Sequence, residues 1–106
     1  MAKFLVEASY LSKGINGLLK EGGSRRREAI DELFGSLGGR VEAFYFAYGE
    51  HDAYVICDLP DAGTGVAISL AVNASGAVRT STVPLFTPEE IDAACKKVPS
   101  YRAPGS

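Results

Sequence analysis

A chain of 106 residues, 46% hydrophobic and 23% charged, is one folding unit of ordinary globular composition, which excludes disorder. A net charge of -2 sets up no basic field for nucleic acid, and no apolar run approaches a membrane span. The opening MAKFLVEASY lacks the pattern of a secretory leader, so a soluble cytoplasmic protein is expected.

Lys3 to Tyr10 alternates along its length, which predicts a strand. Phe4, Val6, Ala8 and Tyr10 make one apolar face; Lys3, Leu5, Glu7 and Ser9 make a mixed one. Glycines at 14, 17, 22 and 23 predict a loop next, with room for one helical turn over 15–20. Ser24 is a candidate N-cap for a helix. Ile30, Leu33, Phe34 and Leu37 supply its apolar stripe, and Gly38-Gly39 ends it. Arg40 to Tyr48 is aromatic and β-branched, as a strand requires. Strict alternation puts Val41, Ala43, Tyr45 and Ala47 on one face and Phe44, Phe46 and Tyr48 on the other. After the turn GEHD, Ala53 to Leu59 completes a hairpin.

A second helix is predicted over 63–75. Ala67, Leu70, Ala71 and Ala74 keep helical spacing, and their small side chains suit close approach to a sheet. Gly76 closes that helix, and Ala77 to Phe86 is a strand with Pro84 near its end or on an edge. Thr87-Pro88-Glu89-Glu90 is a strong helix start, with a capping threonine, a proline at the first helical position and a glutamate at the third. Ile91, Ala94, Cys95 and Val98 are its expected buried stripe, and residues 99–106 form a tail.

This β-α-β-β-α-β order, followed by a helix, is the ferredoxin-like pattern of an α+β fold, one domain over residues 1–98. It folds into a four-stranded antiparallel sheet with two helices on one face. The other face is not cleanly polar. A second subunit is therefore expected to cover it, giving a dimeric α/β barrel and a homodimer or larger homo-oligomer. Cys57 and Cys95 match no metal or redox spacing and are expected as free, buried thiols.

Candidate chemistry centres on His51, the only histidine, and its neighbour Asp52. An aspartate that orients an imidazole leaves the second nitrogen free as a base, a metal ligand or a haem ligand. The competing reading is a polar hairpin turn. Tyr10, Tyr45, Tyr48 and Tyr54 lie near strand ends, where they suit either a small-molecule site inside a barrel or a subunit interface. KEGGSRRR, Lys20 to Arg27, is the most basic stretch. It suits an anion or a solvated face, with Glu28, Asp31 and Glu32 as i,i+4 partners. Gly63-Thr64-Gly65 is too short for a nucleotide motif. Asn73 and Arg79 flank the turn ASGAVRT, and Arg79 is expected to meet Glu7 or an anionic ligand. No metal site, cofactor motif or nucleic-acid pattern stands out.

The chain resembles the GYD domain family. The likeness is carried by the opening strand ending in Tyr10, LGGRVEAFYFAYGEHD, ICDLPD and ASGAVRTSTVPLFTPEE. The family's Gly-x-Tyr-Asp element stands here as Gly49-Glu50-His51-Asp52, which weakens any role that needs a phenol at position 51. The resemblance implies a subunit of a dimeric α/β barrel and attaches no general activity. The expected function is a small-molecule-binding or structural module. The alternative is a cofactor-free monooxygenase or isomerase for a small aromatic or polyketide-like compound, with His51 or Asp52 as base.

Overall fold

The computed structural model describes every residue from Met1 to Ser106. In chain order the elements are β1 (Ala2–Tyr10), α1 (Ser12–Ser36), β2 (Arg40–Phe46), β3 (Ala53–Leu59), α2 (Ala62–Ala74), β4 (Val78–Leu85) and α3 (Pro88–Cys95). The strands pair antiparallel in the order β2-β3-β1-β4, so the expected ferredoxin-like α+β fold is present. β4 is an edge strand, which lets it carry Pro84 opposite Phe4. α1 and α2 pack on one sheet face, around a core that includes Phe4, Ile30, Phe34, Cys57, Leu59 and Ile68.

The glycine-rich stretch after β1 is a helix, not the predicted loop. α1 begins at Ser12 and is interrupted only at Gly22, whose φ of 80° is open to glycine. Gly14 serves a different purpose. A Cβ there would lie 2.2 Å from the Ala77 carbonyl oxygen, so its bare backbone lets α1 rest on the turn before β4. That same carbonyl accepts from the Leu11 N–H.

Strict alternation also fails in β2. Val41 opposes Cys57 and Ala43 opposes Ile56, so Glu42 is an extra residue, a β-bulge. The bulge brings Val41 onto the helix-covered face with Phe44 and leaves Ala43 and Tyr45 on the open one. In α2 the helical period is right but the phase differs. Gly65 and Ile68 are buried, whereas Ala67, Leu70, Ala71 and Ala74 point outward. Close approach comes from Gly65, where a Cβ would meet Leu59 Cδ1 at 3.4 Å. Asp61 caps this helix by accepting from the Thr64 N–H, which holds its carboxyl below the usual range.

The last helix has the full capping box at Thr87 and Glu90. Its apolar stripe is not buried, contrary to expectation: Ile91, Cys95 and Val98 are all exposed. α3 stands away from the sheet and its helices. The radius of gyration is accordingly 16.9 Å, against about 13 Å for a compact chain of this length.

Both cysteines are free, Cys95 exposed and Cys57 buried. Burial pushes the Cys57 thiol up to about 11, helped by the charge of Asp58. Its Sγ donates to the Phe4 carbonyl over 3.7 Å. Cys57 is therefore expected to stay unmodified by a thiol reagent at pH 8 in the native protein and to react once the chain is unfolded. Peptide mass spectrometry reads this directly; native labelling at Cys57 would mean that the core opens there.

Candidate functional site

Two regions gather the polar chemistry, one on each face of the sheet. Under the helices lies a small cavity of about 40 Å³. Its walls are mostly apolar and include Val6 and Tyr10 of β1, Ile30 of α1, Val55 of β3, and Ile68 and Val72 of α2. The polar residues among the lining are Ser69, Thr80, Thr82, Tyr10 and Arg26. Asn73 braces the hydroxyl wall: its Nδ2 donates to Thr80 Oγ1 at 2.8 Å, and its Oδ1 accepts from the Thr80 N–H at 3.0 Å.

Arg26 belongs to the basic stretch KEGGSRRR, but the three arginines diverge. Arg25 is exposed. Arg27 pairs with Asp31 at 3.1 Å, one of the expected i,i+4 partners, and lies over the Phe44 ring. Arg26 turns inward, 5.8 Å from the Tyr10 ring centroid. Its Nε is shut off from solvent and has no hydrogen-bond partner. Sequence reasoning passed over it among its neighbours. The signal was there: Arg26, Ile30 and Phe34 stand four apart, so Arg26 extends the buried stripe by one turn.

His51 lies on the opposite, open face. Its Nδ1 is 3.2 Å from Ser9 Oγ, and its Nε2 is 3.2 Å from a Glu7 carboxylate oxygen. Glu7 and Ser9 alternate along β1, so both reach the imidazole from one face. Tyr54 meets the ring edge-on, with centroids 5.8 Å apart. Asp52 is not the partner of His51. Its carboxylate accepts from the Tyr10 N–H at 2.8 Å, while its own N–H donates to the Ala8 carbonyl at 2.8 Å. Asp52 therefore straps the hairpin to the end of β1. The two adjacent side chains do different jobs.

The other expected site residues are divided between regions. Tyr10 alone of the tyrosines lines the cavity. Tyr45 and Tyr54 face each other across β2 and β3 on the open face, and Tyr48 is fully exposed in the hairpin turn. Arg79 sits opposite Ser9 on β4 and is exposed. The expected Arg79–Glu7 pair does not form, because Glu7 is turned to His51. At the other end of the open face, Asp58 meets Lys3 at 3.0 Å and Arg40 at 2.8 Å, and Lys3 also meets the bulge residue Glu42 at 2.7 Å. The Lys3 ammonium holds the Asp58 carboxyl below the usual range. No group of three His, Cys, Asp or Glu side chains is placed to hold a metal ion. No helix is long and apolar enough to cross a membrane.

The fold and these two regions define a small ferredoxin-like domain with a cavity under its helices and a part-apolar open sheet. Residues 4–95 match the GYD domain, and the chain belongs to that family. It matches no curated protein and no solved structure.

Proposed function

We propose that this GYD-domain protein is a homodimeric small-molecule-binding module, with one site per subunit between the sheet and the helices. The cavity carries the reading. It combines mostly apolar walls with a few hydroxyl-bearing residues and one arginine, the usual makeup of a small-ligand site. A cofactor-free monooxygenase or isomerase draws less support. His51 lies across the sheet from the cavity, and the Asp52 carboxylate is bonded to the backbone of Tyr10.

The dimer rests on the open face and on α3. Leu5, Ile56 and Val83 are neighbours at the middle of that face, with Ala43 and Tyr45 beside them. In plan a four-stranded sheet of this length offers roughly 500 Å², less than the ~800 Å² per partner of a standard interface. Exposed apolar side chains on α3 and just after it, Ile91 and Val98 included, supply further apolar area from the same chain. A second copy thus has both a sheet to cover and an arm to receive.

The test of the binding site is methyl NMR with a set of small apolar and acidic fragments. Shifts are expected at Ile30, Ile68 and Val72, which line the cavity, and not at Leu5 or Ile56 on the open face. A set that leaves the cavity methyls unmoved would overturn the reading.

A further inference from the structure

We infer that the cavity takes a short-chain monocarboxylate, its alkyl tail between Ile30, Val55 and Ile68 and its carboxylate on the Arg26 guanidinium. The inference rests on the cavity being the binding site.

The charge balance of the cavity comes first. Its lining contains one cation and no aspartate or glutamate. Arg27 next door has its carboxylate in Asp31, whereas Arg26 has no ion pair. A guanidinium N–H closed off from water with no acceptor is unfavourable, and a carboxylate is the acceptor whose geometry suits the planar fork. A neutral acceptor would make the weaker hydrogen bond to that N–H. A phosphate would bring more charge and more oxygens than one arginine among apolar walls can satisfy.

Size and direction follow from the walls. A cavity of about 40 Å³ suits a short alkyl tail. Arg26 also lines the outer groove between α1 and α2, with Ala29, Leu33 and Ala71. The acid end therefore stands at the mouth, and the tail points inward to the apolar wall. The hydroxyls of Ser69, Thr80 and Thr82 lie on the β4 and α2 side. A tail bearing one hydroxyl group can be hydrogen-bonded there.

The probe pair is butyrate and butyramide, equal in size and different in charge. Titrated into the wild-type protein at pH 7, butyrate is expected to shift the Ile30, Ile68 and Val72 methyls with an affinity at least about tenfold above that of the amide. Arg26→Met is expected to bind the two alike, at the level of the amide, with an unchanged far-ultraviolet circular dichroism spectrum. Arg26→Lys keeps the charge but lacks the fork, and is expected to fall between. Equal affinity of acid and amide for the wild type overturns the carboxylate inference and leaves the cavity as a binding site. That comparison needs no variant, so a misfolded Arg26→Met does not protect the proposal. If other small fragments move the cavity methyls and butyrate does not, this inference alone falls. If none moves them, the binding reading falls with it.

Discussion

Ile56→Asp is expected to convert the proposed dimer to a folded monomer. Ile56 pairs with Leu5 on β1 and Ala43 on β2, so it sits inside the open face, away from the charged groups at its ends. A carboxylate at that point would be buried on dimerisation without a cation beside it. Lys3 and Arg40 are already engaged with Asp58 and Glu42. The change should cost the interface at least about 2 kcal/mol per subunit, the scale of a central anchor residue. Two symmetric sites double the effect, and the dimer dissociation constant should rise by about a thousandfold. The fold should survive, because position 56 is only half-buried in the single subunit. Light scattering coupled to size exclusion reads the mass directly. A wild-type protein with the mass of one chain would sink the dimer, and so would an Ile56→Asp variant that keeps the dimeric mass.

Phe34→Ala should lower unfolding stability by about 3–5 kcal/mol, a large share of the 5–15 kcal/mol typical of a domain. Phe34 is 3% exposed and packs in the main core, against a sheet face to which β3 turns every second residue. It also borders the cavity. Removing the ring therefore enlarges an existing space instead of letting the wall close, which puts the loss toward the upper part of the range. Urea unfolding followed by circular dichroism gives the number. A loss under about 1 kcal/mol would mean that α1 is not docked on the sheet in solution.

Most of the fold was legible in the sequence, because its signals are local. Alternation in β1 and β3, the capping box at Thr87 and the stripe Ile30-Leu33-Phe34 each depend on neighbours within one or two turns or strand periods. Their order yields the ferredoxin-like topology without any knowledge of contacts. The loop predicted after β1 failed because glycine has two uses. Locally it signals a turn, yet Gly14 is needed for the approach of α1 to Ala77, a contact far along the chain. The phase of α2 failed for a related reason. Alanine and leucine make a plausible buried stripe, but Gly65 beside Leu59 decides which side can come close.

The candidate site divides along the same line. Composition alone brought forward His51, Asp52 and the tyrosines as the residues able to do chemistry. Only the sheet register shows that Glu7 and Ser9, two apart on β1, embrace His51 while Asp52 holds the Tyr10 backbone. The bulge at Glu42 likewise decides which side chains of β2 meet the helices and which face outward. Arg26 is the plainest case. Its helical phase is written in the sequence, but a charged residue ordinarily remains in solvent, and only the packed walls of α1, α2 and the sheet leave its Nε without water or partner. Local periodicity thus determined the elements and their order, because each rests on short-range backbone and side-chain preferences. Tertiary packing decided faces, phases and the site, because those depend on which distant atoms occupy the space around a side chain.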